Sequence, residues 1–197
     1  MNRKRTHKKQ HWVPRSYLTA WCDPDRQTHE EPFVWVFDKG GFEVKRRAPA
    51  NLFTASDLYT LTLEGGGRDL RIEHGLSGLE DSFARVRKEV LAPRKPLLAK
   101  HQVLLRAFFA ATHGRSRLQL NHWREEWGGV LERMEILRTR MEQATPRERE
   151  IASRMGRLNA SRESLSESDV RALANEPQRN LVDIVQAQTR LLSAPDL

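Results

Sequence analysis

The spacing between apolar residues changes near Arg68, and this change constrains the fold more than any other feature of the sequence. Before it, short β-branched and aromatic runs are separated by turn residues, which is typical of strands. After it, apolar residues recur at steps of three and four, which is typical of amphipathic helices. We therefore predict an α+β fold in which a small N-terminal β-hairpin element packs on a larger, mainly α-helical body. Residues 1–67 are expected to hold a basic leader, a motif loop and the hairpin, and residues 68–197 the helical body, all within one folding unit.

The β-hairpin is predicted within residues 33–45. Residues 33–37 form an apolar, aromatic run, residues 42–45 alternate apolar and polar side chains, and a turn rich in Asp and Gly joins them. Because the first strand is apolar on both faces, we expect it to be more buried than the second. Residues 51–63 are expected to add a third extended segment.

Two stretches of the helical body are especially apolar. Residues 103–111 are apolar on nearly every side, which predicts a central buried helix. A strict alternation of three- and four-residue steps later in the chain predicts a long helix with one buried stripe. The partner of this stripe is expected to be the next helix, which begins at a capping sequence at residues 145–148, or a second copy of the chain. The 120–141 stripe consists of Leu120, Trp123, Trp127, Val130, Met134, Leu137 and Met141.

The net charge of +8 is concentrated at the N-terminus. Six basic residues and no acidic ones lie within the first fifteen positions, whereas residues 115–197 are nearly balanced, with 14 basic and 13 acidic side chains. A short basic arm can bind phosphate backbones by releasing their counterions. The alternative is a solvated terminus that only favours solubility. The predicted nucleic-acid contacts are Arg3, Lys4, Arg5, Lys8, Lys9 and Arg15.

Several classes of protein do not fit the sequence. No apolar run approaches the ~20 residues of a membrane span, so no membrane partner is expected. The basic N-terminus is followed by no apolar signal segment, and we expect a cytoplasmic protein. The single Cys22 excludes an internal disulfide framework and a multi-cysteine zinc site. The glycines at 65–67 lack the Lys-Ser/Thr of a phosphate loop, and no nucleophile elbow or dinucleotide motif is present.

His7 and His11 are the candidate metal ligands. Their spacing of four would place both on one face of a helix, where a carboxylate could complete a divalent metal site. The segment, however, has the pattern of neither a helix nor a clean strand, and Lys8 and Lys9 oppose a bound cation. No cofactor is therefore predicted, and a divalent metal is the alternative. We expect His11 to fix the leader to the body, and Trp12 and Tyr17 to anchor it by burial.

Glu73 and Glu80 are candidate catalytic residues together with His11. Their spacing of seven places both glutamates on one face of the predicted helix. Paired carboxylates can hold magnesium or act as acid and base, although surface ion pairs account for them almost as well. A His11 imidazole within about 4 Å of either carboxylate in an open cleft would favour chemistry, whereas the same pair sealed in the interior would favour a structural role.

Several short motifs together resemble the family called domain of unknown function 4238. The most specific is His11-Trp12-Val13-Pro14-Arg15-Ser16-Tyr17-Leu18, and weaker motifs lie at residues 35–38, 51–53, 58–60, 72–73 and 79–80. The resemblance covers about residues 7–90 and implies a fold arrangement but no established activity. Nothing after Leu191 matches a second motif that the resemblance implies, so a shortened or divergent member is expected. The motif positions are His11, Pro14, Tyr17, Tyr59, Glu73 and Glu80.

Two functions are compatible with these observations. The first is a bacterial binding or interaction module that contacts nucleic acid through its basic N-terminus and self-associates through the 120–141 stripe. The second is a metal-dependent, nuclease-like hydrolase that uses His7 or His11 with Glu73 and Glu80. The absence of a recognised catalytic motif favours the first.

Overall fold

Short antiparallel strands near the N-terminus precede a mainly helical chain, which confirms the predicted α+β class. The computed structural model describes residues 8–23, 25, 29–158 and 165–193. The described parts of residues 1–117 and 181–197 form one compact unit, and those of residues 118–180 form a second. The boundary predicted between residues 67 and 68 falls inside the first unit and stays a prediction. Among the described residues, no helix combines the length and apolar character that crossing a membrane requires.

The strands form three two-stranded antiparallel pairs. The predicted hairpin is present, and its first strand is the more buried one: Val34 is buried, whereas every residue of the second strand is exposed. The pairs are β1 (Lys9–His11) with β4 (Thr54–Ser56), β2 (Val34–Phe37) with β3 (Val44–Arg47), and β5 (Leu61–Thr62) with β6 (Arg68–Asp69).

The N-terminal motif is more regular than its sequence predicts. Strand β1 is followed by one helical turn, α1 (Arg15–Leu18). The buried Gln10 side chain accepts a hydrogen bond from the Tyr59 backbone N–H at 2.6 Å and donates one to Thr60 Oγ1 at 3.1 Å. A strand of three residues is too short to show alternation, and its partner is more than forty residues away, so the local pattern could not reveal it.

The helices follow the predicted order. The expected cap at residues 145–148 is present, since Thr145 and Glu148 exchange hydrogen bonds at that helix start. Ser166 and Asp169 form a second cap of the same kind. The helices are α2 (Arg71–Val86), which continues as a π-helical turn (Arg87–Leu91), α3 (Ala99–Gly114), α4 (Arg117–Gln143), α5 (Pro146–Leu158), α6 (Glu167–Asn175) and α7 (Leu181–Leu191).

The core of the first unit lies where α2, α3 and α7 pack together. Phe83 of α2 and Phe108 of α3 stack face to face, with 3.7 Å between ring centroids, and Leu181 of α7 is almost fully buried. The prediction that α3 is buried on nearly every side is wrong, because Val103 and Phe109 are 51% and 59% exposed. This helix is apolar all round, yet only one face has neighbours that cover it.

The 120–141 stripe is buried only at its N-terminal end. Leu120 is buried, and Trp123, Trp127, Val130 and Met134 are half-buried. Leu137 is 59% exposed and Met141 38%, and Ile151 and Met155 of α5 are exposed as well. The prediction that α5 folds back to cover the stripe is therefore wrong for these residues. Helices α4 and α6 are instead joined by ion pairs of Arg138 with Glu167 and of Arg171 with Glu135.

Candidate functional site

Four of the motif positions gather around Arg115, which lies just after α3. The Tyr59 side chain is fully buried, and its hydroxyl donates a hydrogen bond to the Arg115 carbonyl oxygen at 2.8 Å. The Arg115 guanidinium is 2% exposed and donates from Nη1 to Glu80 Oε1 at 2.7 Å. Glu73 lies close enough to Arg115 and Glu80 for their charges to act on it, and His11 lies close enough to Glu80 for the charge of that carboxylate to act on its imidazole. We call His11, Tyr59, Glu73, Glu80 and Arg115 the polar cluster.

Local structure explains how the polar cluster assembles. Glu73 and Glu80 are two helical turns apart on α2, so their side chains point to the same side, as predicted. Pairing of β1 with β4 places His11 opposite Thr54, and the Trp12 N–H extends the pairing to the Phe53 carbonyl at 2.9 Å. The sequence thus predicts the glutamate pair, whereas tertiary pairing brings His11 to it.

Burial shifts the protonation of three members of the polar cluster. Burial and the nearby Glu80 carboxylate raise the pKa of Glu73, and the Arg115 guanidinium opposes them. Burial lowers the pKa of His11, although its hydrogen bond to the Pro49 carbonyl and the Glu80 carboxylate act in the opposite direction. Burial also raises the pKa of the Tyr59 hydroxyl. The cluster therefore favours a neutral imidazole, a neutral phenol and a Glu73 carboxyl that keeps its proton to higher pH than usual.

Replacing Glu73 by glutamine is expected to stabilise the protein at neutral pH. The pKa of Glu73 is raised above its ordinary value of 4.5, so the folded state binds the extra proton between the two pKa values. The stabilisation is full below the unfolded pKa and is lost as pH rises through the folded pKa. Glutamine keeps the neutral form at all pH values. The free energy of unfolding, measured with urea at several pH values between about 4 and about 8, should fall less with rising pH in Glu73→Gln than in the parent protein.

The matched control is Glu80→Gln on the same helix face. Because Glu80 neutralises the buried Arg115 guanidinium, its neutral variant should be less stable than the parent protein at neutral pH. Opposite signs for the two variants are the expected result. A Glu73→Gln protein less stable than the parent at neutral pH would contradict the burial cost assigned to that carboxylate.

His11 is held as part of the fold and is not paired with either glutamate. Across the described residues, no carboxylate oxygen lies within the 4.0 Å ion-pair distance of its imidazole. Its Nε2 atom is buried without a hydrogen-bond partner, and the ring hydrogen-bonds to the Pro49 carbonyl. The geometry that would favour His–Glu chemistry is thus absent from the described part of the chain.

The described residues contain no group of three His, Cys, Asp or Glu side chains placed to hold a metal ion. The candidate ligand His7 lies outside those residues. Cys22 is a free, half-buried thiol whose Sγ lies 3.9 Å from the Leu18 carbonyl oxygen.

The aromatic residues of the N-terminal motif are more accessible than predicted. Trp12 is half-buried, with its ring 6.0 Å from that of Phe53 and the Arg117 guanidinium 5.3 Å from its centroid. The expected burial of Tyr17 is wrong: it is 37% exposed and leans against Trp21, which is 66% exposed. A single helical turn has too little surface to cover both of these rings. Pro14 is buried, and its carbonyl accepts the N–H groups of the following turn.

The predicted basic contacts are partly described. Lys8, Lys9 and Arg15 are exposed, and none of them forms an ion pair with an acidic side chain among the described residues. Lys9 Nζ instead donates to the Asn51 side-chain oxygen at 2.7 Å. The other three predicted contacts, Arg3, Lys4 and Arg5, lie outside the described residues.

A second basic segment, at residues 85–106, was missed at the level of the sequence. It holds seven basic residues and one acidic residue, but residues 16–84 hold seven basic and twelve acidic residues, so the net charge conceals it. Counting charge segment by segment would have found it. The Arg87 Nη1 atom donates to the Ser16 carbonyl oxygen at 3.1 Å and so joins this segment to α1. We call seven of the exposed cations of the two segments the basic surface: Lys8, Lys9, Arg15, Arg85, Lys88, Arg94 and Lys95.

One protein family matches the chain along most of its length. The model of the family described as "Protein of unknown function (DUF4238)" matches residues 9–190. The chain belongs to this family, which confirms the family that the sequence was expected to resemble. Neither the curated proteins nor the solved structures contain a match to it.

Proposed function

We propose that this member of the family is a binding module that contacts nucleic acid through the basic surface. The observation that carries the proposal is the lack of ion-pair partners around these seven exposed cations within the described part of the chain. Between α4 and α6, by contrast, Arg138 and Arg171 form ion pairs with glutamates. Unmatched cations repel one another, and a polyanion relieves this repulsion while releasing its own counterions.

Two structural features support the basic surface as one contact region. The Arg87–Ser16 hydrogen bond brings the two basic segments next to each other although they are about seventy residues apart in sequence. Two exposed aromatic rings follow Arg15 closely along the chain, those of Tyr17 in α1 and Trp21 in the next helical turn. Cations beside accessible rings suit a ligand that carries both phosphates and bases.

Neutralising the basic surface is expected to weaken nucleic-acid binding and reduce its dependence on salt. The variant combines Arg15→Gln, Lys88→Gln and Lys95→Gln. If each cation neutralises one phosphate, the slope of log K against log salt for duplex DNA should become less negative by about 2.7, at roughly 0.9 for each contact. Fluorescence anisotropy with a labelled duplex, between about 0.05 and 0.5 M salt, measures both affinity and slope.

The control variant removes the same charge from the second unit. Arg124→Gln, Arg133→Gln and Arg140→Gln replace three exposed arginines of α4. This control should retain the parent salt slope. If both variants lose affinity equally, the effect comes from net charge alone. If the first variant binds as tightly as the parent protein, the basic surface is not the contact.

A second candidate function is phosphodiester hydrolysis, which one observation favours. Glu73 is a half-buried carboxyl whose pKa is raised beside Glu80 and Arg115, as suits a general acid. Incubating the same labelled duplex with the protein and Mg²⁺ tests this candidate. Cleavage that is lost in Glu73→Gln would support hydrolysis, and an intact duplex would leave binding as the function.

A further inference from the structure

We propose that the outer face of the β2–β3 hairpin is a stacking platform for the bases of a single-stranded nucleic acid. This inference rests on the nucleic-acid binding proposed above and names the kind of strand that is bound. The hairpin belongs to the first unit, which also holds the basic surface.

The register of the hairpin defines its outer face. Trp35 pairs with Arg46 and Phe37 pairs with Val44, so these four side chains project from the same side of the ribbon. Trp35, Phe37 and Val44 are 46%, 61% and 47% exposed. Val34, which projects from the opposite side, is 7% exposed. The hairpin therefore buries one face at the start of β2 and leaves a row of large apolar side chains on the other.

A third ring extends the platform at the tip of the hairpin. Phe42 is 91% exposed, and its ring lies against Gly40, where a Cβ atom would come within 2.6 Å of the ring carbon Cδ2. The glycine allows this ring to lie close over the turn. Rings of Trp35, Phe37 and Phe42 are thus accessible along one short ribbon, and aromatic faces of this kind stack on nucleic-acid bases with little sequence preference.

The charges of the hairpin favour an anionic occupant. The Arg46 guanidinium lies over the Phe33 and Trp35 rings, 4.6 and 4.9 Å from their centroids, so it covers part of the Trp35 ring and brings a positive charge onto the platform. The two acidic side chains of the hairpin are already engaged: Asp38 accepts backbone N–H groups of the turn, and Glu43 pairs with Lys45 at 2.6 Å. Arg46 forms an ion pair with Glu30 at 3.9 Å, whereas no acidic side chain of the described chain pairs with Lys39 in the turn. Arg47 also lacks such a partner among the described residues, but it pairs with Val34 and projects from the opposite side of the ribbon.

A single-stranded nucleic acid fits these exposed rings better than a duplex does. The bases of a duplex are stacked on one another and present only their edges in the grooves, whereas a single strand can offer base faces to protein rings. Exposed rings beside Arg46 on the outer face and Lys39 in the turn provide the two contacts that a single strand needs, one for bases and one for phosphates. If the rings bind a protein partner instead, removing them should leave nucleic-acid binding unchanged. The experiment below distinguishes these two ligands.

The test compares a 20-nucleotide oligo(dT) with an abasic oligonucleotide of the same length, using the double variant Phe37→Ala, Phe42→Ala. Binding of oligo(dT) should weaken by about tenfold or more, because stacking on two rings is lost. Binding of the abasic strand and the salt slope should not change, because no charge is removed. The control is Phe109→Ala on α3, an equally exposed phenylalanine of the same unit. Melting temperatures establish that the variants are folded.

The outcomes separate this inference from the proposal on which it depends. If the parent protein binds neither strand nor duplex, both proposals are wrong. If it binds nucleic acid and the double variant binds oligo(dT) as tightly as the parent, the platform is wrong and the basic surface stands. If the variant binds oligo(dT) and the abasic strand more weakly to an equal degree, the hairpin does not act by stacking and the inference is overturned. A loss confined to oligo(dT) supports it.

Discussion

Replacing Arg115 by alanine is expected to lower the free energy of unfolding by about 3–5 kcal/mol, since the variant leaves a carboxylate without its buried counter-charge. The Arg115 guanidinium is 2% exposed, and the Glu80 side chain with which it pairs is 22% exposed. Truncation also removes the largest side chain at the centre of the polar cluster. Urea unfolding followed by circular dichroism measures the change.

A nearby arginine provides the control. Arg117, two residues later, is exposed, and among the described residues its side chain forms a cation–π contact with Trp12 but no ion pair, so Arg117→Ala should cost no more than about 1 kcal/mol. In the double variant Arg115→Ala, Glu80→Gln, the cost should be less than the sum of the single costs, because the two side chains act as a pair. Additive costs would show that Glu80 is solvated independently of Arg115.

Local sequence signals account for the helices and the hairpin. The change of apolar spacing near Arg68 predicts the start of the helical region to within a few residues of α2. Capping residues such as Ser166 and the Asp/Gly turn act over three or four positions, so they can be recognised directly in the sequence. These elements depend on interactions that are short in sequence.

Long-range contacts account for what the sequence did not reveal. Strand β1 exists because it pairs with β4, and burial of Tyr59 depends on a hydrogen bond to a residue fifty-six positions away. Arg115 follows an apolar helix, where a basic residue is ordinarily explained by the helix dipole. Its partners come from α2 and from the segment after β4, so its central place in the polar cluster carries no local signal.

The polar cluster stabilises the fold, and this in turn holds a cation of the basic surface in place. His11 fastens β1 through Pro49, and Gln10 of the same strand is fixed through Tyr59. Lys9, which directly precedes these two anchored residues, is thereby held at the surface. A folded interior next to an exposed cationic strand preorganises the cations, which lowers the entropic cost of binding a ligand. We expect substitutions in the cluster to act on binding mainly through the stability of the first unit.

Replacing Phe108 by alanine is expected to destabilise the first unit by about 3–5 kcal/mol. Phe108 is 2% exposed, and its ring lies parallel to that of Phe83, with 3.7 Å between centroids and 2° between planes. The variant would leave a cavity between α2 and α3 and remove the stacking contact.

Phe109→Ala is the matched control. Phe109 is the next residue on α3 and is 59% exposed, and its edge contact with Phe108 is worth at most about 1.5 kcal/mol. Urea unfolding of the two variants should therefore differ by at least about 1.5 kcal/mol. Equal midpoints would mean that the α2–α3 contact does not depend on this stacked pair.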